Sequence, residues 1–123
     1  MSPRLYGRNK ELFFKYIRHH EKMVIDLNER IRNTERSIYL FGAHVFSQYL
    51  IEFGLRTGRI ASILDNAPAK QGKRLYGTNL TVRSPNVLRD ERSPIIILRA
   101  GVFNEEIKND ILSKINPKAE FWV

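Results

Sequence analysis

The residues best suited to chemistry in this sequence are a glycine turn and an acid, each placed directly after a short apolar run. Gly42, Ala43 and His44 follow the first run, and Asp65 closes the second, which spans residues 60–64. A glycine at a strand end lets the backbone turn tightly and approach a ligand, and the helix that follows offers free N–H groups to an anion. An acid at the tip of the next strand can hold a ribose hydroxyl. The pattern is typical of one half of a mononucleotide-binding βαβ fold.

Two basic residues extend this candidate site. Lys70 lies in the loop after Asp65 and is placed to neutralise a phosphate, because charge-assisted hydrogen bonds are about twice as strong as neutral ones. Arg99 directly follows the apolar run of residues 95–98, and ligands of parallel sheets bind at such strand tips. We therefore predict ligand contacts from six residues: Gly42, Ala43, His44, Asp65, Lys70 and Arg99.

Each of these residues also has a purely structural interpretation, which the sequence leaves open. The turn contains one glycine where a dinucleotide-binding fingerprint has three, so the fold could carry an unused switch point. Asp65 could cap the next turn, Lys70 could be a solvated loop base, and His44 could face solvent. Arg99 is harder to explain in this way, because of its place at the end of a buried strand.

The composition argues against several classes of site. The 123-residue chain contains no cysteine, which excludes a disulfide, a thiolate metal site and a cysteine nucleophile. Three histidines, two of them the neighbours His19 and His20, make a poor basis for a metal site. No general base and nucleophile can be paired from the sequence. We therefore predict no catalytic residue, no metal and no cofactor in this chain.

The net charge of +8 is spread along the chain rather than gathered in one block. A positive balance of this kind suits a phosphate-bearing ligand, an acidic partner or simple solubility. A nucleic-acid partner is supported only by the basic composition, because no nucleic-acid binding motif can be recognised. No apolar run approaches the length that spans a bilayer, and we expect a cytoplasmic protein without membrane contact.

Helix and strand patterns alternate along the chain, which predicts a Rossmann-like, three-layer, open parallel α/β sheet. Residues 1–8 are expected to be a leader or linker, residues 9–33 a long amphipathic helix, and residues 37–123 the α/β core. The first strand should be central. The predicted strands are residues 37–41, 60–64, 79–82, 95–98 and 120–123.

The helix over residues 9–33 carries an apolar stripe that needs a surface to cover. A helix of this length is not stable alone in water, so the stripe packs on the sheet or pairs with a second copy. His20 lies on the stripe and is interpreted as a packed, hydrogen-bonded histidine. The other members of the stripe are Phe13, Ile17, Val24, Leu27 and Ile31.

Four short motifs stand in a characteristic order along the chain. They are Phe41-Gly42-Ala43, the loop Asp65-Asn66-Ala67-Pro68-Ala69-Lys70-Gln71-Gly72, Gly77-Thr78 and Ser84-Pro85. This order resembles the C-terminal domain of SAM-dependent sugar C-methyltransferases. In that family a Tyr-Gly-Ala turn precedes a strand that ends in Asp, an Asn-Pro-x-Lys-Gln-Gly loop and a Pro-Gly-Thr turn. The resemblance covers residues 9–123 and is most specific over residues 65–72.

The resemblance implies that the chain binds a nucleotide sugar. In the family, the SAM-binding and catalytic segments lie upstream and have no counterpart in this sequence. The resemblance therefore implies a SAM-binding domain as partner, in the same or another chain. Two departures concern sugar recognition, because residues 99–104 replace a Trp-Asn-Tyr-like segment and Tyr76 replaces the proline before the Gly-Thr turn.

Three functions are open on the sequence alone. The first is the substrate-binding domain of a sugar C-methyltransferase, either excised from a longer enzyme or standing alone as a relative. The second is a stand-alone nucleotide or nucleotide-sugar binding module. The third is a basic interaction domain of Rossmann type, which would form a homodimer through its N-terminal helix.

Overall fold

A parallel sheet of five strands organises the part of the chain that the structure, a computed structural model, describes: residues 3–42, 45–75 and 77–123. The strands lie in the order β3-β2-β1-β4-β5, and each neighbouring pair is parallel. The predicted α/β sheet with a central first strand is therefore confirmed. The strands are β1 (Ile38–Phe41), β2 (Ile60–Leu64), β3 (Val82–Arg83), β4 (Ile95–Leu98) and β5 (Glu120–Trp122).

The central strands β1 and β4 are apolar and buried at every position, because helices cover both faces of the sheet. Phe41 at the end of β1 lies in register with Leu64 of β2 and with Leu98 of β4. The carboxyl ends of three adjacent strands therefore lie at one level. The residues that directly follow these strands are neighbours along one edge of the sheet.

Two separate apolar cores, one on each face of the sheet, give the fold its three layers. The first core joins α1 (Pro3–Arg32) and α2 (Val45–Glu52) to one face. The second joins α3 (Asn104–Lys114) and a 3₁₀ helix (Pro85–Asp90) to the other face. Because α2 connects β1 to β2 and α3 connects β4 to β5, the connections change face between β1 and β4.

The first helix differs from its prediction in two ways. It begins at Pro3, so residue 9 lies inside the helix rather than at its start. Its C-terminal half packs on the sheet and buries Val24, Leu27 and Ile31, whereas Phe13 on the same predicted stripe is 59% exposed. The periodicity identified one helix face correctly, but the described sheet covers only the second half of that face. No helix among the described residues is long and apolar enough to cross a membrane.

Polar contacts fix the C-terminal half of α1 to the next elements. The Arg59 guanidinium donates to the carbonyl oxygens of Ile31, Thr34 and Arg36, at 3.3, 2.9 and 3.3 Å. These carbonyls at a helix end and just beyond it would otherwise need water or another donor. Asn28 donates to the Gly54 carbonyl at 2.9 Å. The helix is therefore held at a fixed position over the sheet.

The third strand is shorter than predicted and begins three residues later, at Val82 rather than residue 79. The segment before it folds back on itself, because the Val82 N–H donates to the Lys73 carbonyl at 2.7 Å and the Leu75 N–H donates to the Leu80 carbonyl at 2.9 Å. Leu80 and Thr81 thus pair with their own loop, although the Thr81 carbonyl also accepts from the Ile63 N–H of β2 at 3.1 Å.

A buried amide ties the second face of the fold together. The Asn116 side chain, after α3, donates to the carbonyl oxygens of Leu88 and Glu91, each at 2.8 Å. The 3₁₀ helix that contains Leu88 is capped at its start by Ser84, whose hydroxyl accepts from the Asn86 N–H at 3.2 Å. These contacts join the connection before β4 to the end of α3.

Candidate functional site

Three predicted site residues directly follow the three strands whose ends lie at one level. Gly42 follows β1, Asp65 follows β2 and Arg99 follows β4. Since the connections change face between β1 and β4, Gly42 and Arg99 flank the topological switch point. Open α/β sheets bind their ligands in the crevice at this point, outside the carboxyl ends of the strands.

A cavity of about 340 Å³ lies beside Arg99 on the α1 face of the sheet. This volume is at the lower end of the range usual for small-molecule sites. The walls are contributed by α1, by the end of α2 and by the segment that joins β4 to α3. The residues around it include His19, His20, Met23, Phe53, Arg99 and Asn104.

Arg99 brings a charge into this mainly apolar environment. Its Nε atom is buried and has no hydrogen-bond partner among the described residues, and none of their carboxylates forms an ion pair with it. Burial lowers the pKa of the guanidinium, which still stays protonated because an arginine does not lose its charge in proteins. A charge withdrawn from water without a counter-ion is costly. The cavity is therefore suited to an anion.

His20 faces Arg99 across the cavity from the middle of α1. Its ring stacks on Phe53, with ring centroids 5.8 Å apart and an interplanar angle of 16°, and meets Tyr16 edge-on at 4.1 Å. The interpretation of His20 as a packed residue is confirmed. The predicted hydrogen bond is not found, because the ring bonds to none of the described residues. Burial, then the charges of His19 and Arg99, lower the pKa of His20.

Gly42 has a structural role that the sequence also allowed. Its φ of 103° lies in the left-handed region that favours glycine, and its N–H donates to the Leu64 carbonyl at 2.7 Å. The buried Ser47 hydroxyl donates to the Gly42 carbonyl. Because the Gly42 N–H already donates to the sheet, it does not serve a ligand. Gly42 can still let a ligand approach the backbone, since it has no side chain. Ala43 and His44 lie outside the described residues.

Asp65 and Lys70 form a small polar cluster at the tip of β2. One Asp65 carboxylate oxygen accepts from the Ala67 N–H at 2.8 Å, and the other lies 3.8 Å from the Lys70 ammonium. The Gln71 amide donates to the Asp65 carbonyl at 2.8 Å. The turn-capping interpretation of Asp65 is therefore realised. Neither residue lines the cavity beside Arg99, so the structure does not bring all the predicted site residues into one pocket.

Sequence reasoning assigned His20 to packing and connected neither His20 nor Phe53 with the site. The signal that could have found them is the end of the α2 pattern, where Phe53 stands directly before Gly54. An aromatic residue directly after the helix that follows β1 was available to face the switch point. Nothing in the sequence pattern indicated that α1 would bring His20 to the switch point.

The rim of the cavity carries exposed apolar side chains. Val102 and Phe103, in the segment between β4 and α3, are 91% and 60% exposed. They follow Gly101, which lines the cavity. Among the described residues, no group of three or more acidic or histidine side chains is placed to hold a metal ion.

Comparison with known proteins gives one match. Residues 8–123 match the protein family described as the C-methyltransferase C-terminal domain. Searches of curated proteins and of solved structures returned no match. The family match covers nearly the whole chain and includes the residue 65–72 loop. The chain belongs to the C-methyltransferase C-terminal domain family.

Proposed function

We propose that this chain is the nucleotide-sugar binding domain of a SAM-dependent C-methyltransferase. The observation that carries the proposal is Arg99, a charged side chain with a buried, unpartnered Nε at the switch point of the sheet. A nucleotide sugar carries a diphosphate, and an arginine guanidinium is a preferred donor for phosphate oxygens. The ligand would supply the counter-charge that the described residues do not.

The spacing of the strand tips suits a long ligand. Asp65 and Arg99 are separated by two strand spacings, or roughly 10 Å across the sheet. A nucleoside diphosphate sugar is longer than this separation. In the proposed complex the diphosphate lies near Arg99 and passes Gly42, where a side chain would obstruct it. Asp65 accepts from a ribose or sugar hydroxyl, while Lys70 adds a screened attraction for phosphate.

Methyl transfer requires a second domain that binds SAM, in the same or another chain. We assign the contact with that domain to the cavity rim, where Val102 and Phe103 expose apolar surface. Exposed apolar side chains grouped beside a ligand site are a feature of protein contacts. Closure of a SAM-binding domain over this rim would cover the nucleotide sugar and exclude water from the reacting carbon.

A second candidate function is favoured by one observation. The N-terminal half of α1 exposes Leu12, Phe13, Phe14 and Tyr16, at 57%, 59%, 44% and 49%. This surface supports an interaction domain that forms a homodimer or binds another protein through α1. The two functions differ in what the chain binds by itself, so a ligand titration separates them.

The test is calorimetry of the chain with dTDP-, UDP- and CDP-sugars and with SAM. We expect at least one nucleotide sugar to bind, with an affinity as weak as millimolar in the absence of the second domain, and SAM not to bind. Tight SAM binding would contradict the proposed division of roles. Lack of nucleotide-sugar binding at millimolar concentrations, together with a dimer in sedimentation, would favour the interaction domain.

A further inference from the structure

His20 and Arg99 are two cationic or potentially cationic side chains that line one cavity. His20 reaches the cavity from α1 and Arg99 from the end of β4, so the sheet and the helix each contribute one group. The ring of His20 is oriented by its stacking on Phe53 and by its edge-on contact with Tyr16. Neither side chain makes a hydrogen bond to a described residue.

We propose that His20 and Arg99 form one anion-binding site and that His20 takes up a proton when the anion binds. This inference rests on the proposed function, because the anion is assigned to the diphosphate of the nucleotide sugar. It adds a binding residue, His20, and makes binding depend on pH.

The direction of the effect follows from the charges around His20. In the free protein, burial and the positive charges of His19 and Arg99 disfavour the imidazolium, so the pKa of His20 is lowered. A bound anion offsets the field of Arg99 and accepts a hydrogen bond from the imidazolium, which raises the pKa of His20 in the complex. The affinity therefore rises as the pH falls through the pKa of the bound form, and it levels off below the pKa of the free form.

The groups that act on His20 come from each element packed against it. On α1 these are His19 and Tyr16, and after β4 the charged group is Arg99. Phe53, after α2, and Asn104, at the start of α3, are uncharged neighbours at the cavity. Among these described groups none is a carboxylate, so a bound anion is the counter-charge that would stabilise the imidazolium.

Sulfate is the probe for the first experiment, because it keeps a constant charge over the pH range in which a histidine titrates. The histidine ring signals of the chain are followed by NMR against pH, in sodium sulfate and in sodium chloride of equal ionic strength. We expect sulfate to raise the pKa of His20 more than chloride does. Arg99→Gln should abolish the difference at His20.

Sulfate affinity is the second readout. It should increase roughly three- to tenfold between about pH 8 and about pH 5.5, and His20→Gln should remove this increase. Arg92→Gln, at an exposed arginine outside the cavity, is the matched control for charge and should leave the increase in place. A His20 titration that does not distinguish sulfate from chloride, or a pH dependence that survives His20→Gln, would overturn the inference. A sulfate response without nucleotide-sugar binding would support the inference while rejecting the proposed function.

Discussion

Asp65 and Arg99 directly follow the two strands that flank β1, at the same level of the sheet. Their charges differ in how they are satisfied. The Asp65 carboxylate accepts from the Ala67 N–H and lies 3.8 Å from the Lys70 ammonium, whereas Arg99 Nε has no partner among the described residues. The same edge of the sheet thus presents a carboxylate that has partners and a half-buried guanidinium whose Nε has none among the described residues. Asp65 has a structural role of its own, whereas Arg99 is the residue that we propose binds the ligand.

The Asp65 cap can be tested separately from binding. Asp65→Ala removes the acceptor of the Ala67 N–H and should lower the free energy of unfolding by about 1 kcal/mol. Asp65→Asn keeps an oxygen in that position and should cost less than half as much, because the ion pair with Lys70 is partly exposed. Urea denaturation measures both values. Equal losses in the two variants would show that charge rather than the cap stabilises this turn.

The burial of α1 predicts different effects for two apolar residues close together on the helix. Leu27 is 3% exposed and Ile25 is 64% exposed. Leu27→Ala should lower the free energy of unfolding by about 2–4 kcal/mol, since it removes buried methyl groups and leaves a cavity. Ile25→Ala should change it by less than about 0.5 kcal/mol. Similar losses for both would show that the opposite face of α1 is also covered, as in a dimer.

Asn116 should be among the most sensitive polar positions of the fold. It is 5% exposed and its amide bonds to two carbonyl oxygens. Asn116→Ala leaves the buried Leu88 carbonyl without this donor, so we expect a loss of about 2–3 kcal/mol in the free energy of unfolding. Asn109→Ala, an exposed substitution on α3, is the matched control and should be close to neutral. A neutral Asn116→Ala would show that water replaces the amide.

Tyr39 should make the free energy of unfolding depend on pH in the alkaline range. Burial, and then the hydrogen bond from its hydroxyl to Glu91 at 2.9 Å, raise the pKa of Tyr39 to about 12. The neutral phenol is favoured in the folded state, so this stabilisation is complete below the tyrosine pKa of the unfolded chain, about 10. It is lost as the pH rises through about 12. Ultraviolet titration should show one tyrosine that ionises late, and this late step should be missing in Tyr39→Phe. A late step that persists in Tyr39→Phe would assign it to another tyrosine.

The order of elements could be predicted from local patterns because the physical causes are local. Continuous apolar runs identified β1 and β4. The exposed half of α1 could not be predicted, since periodicity shows which residues share a face but not what covers it. The approach of His20 to Arg99 could not be predicted either, because it depends on how α1 crosses the sheet.

Comparison of two arginines tests the central claim most directly. Arg99→Gln and Arg92→Gln remove the same charge, but Arg92 is exposed and makes none of the ion pairs found among the described residues. Arg99→Gln should leave the free energy of unfolding unchanged or higher, because it removes a partly buried charge that has no counter-ion.

The measurement is calorimetric titration of both variants and the parent chain with the nucleoside diphosphate sugar that binds best. We expect Arg99→Gln to weaken binding by roughly tenfold or more, as for a lost hydrogen bond to a charged group, and Arg92→Gln to change it by less than about twofold. Equal affinities in the parent chain and in Arg99→Gln would contradict the assignment of the anion site to Arg99.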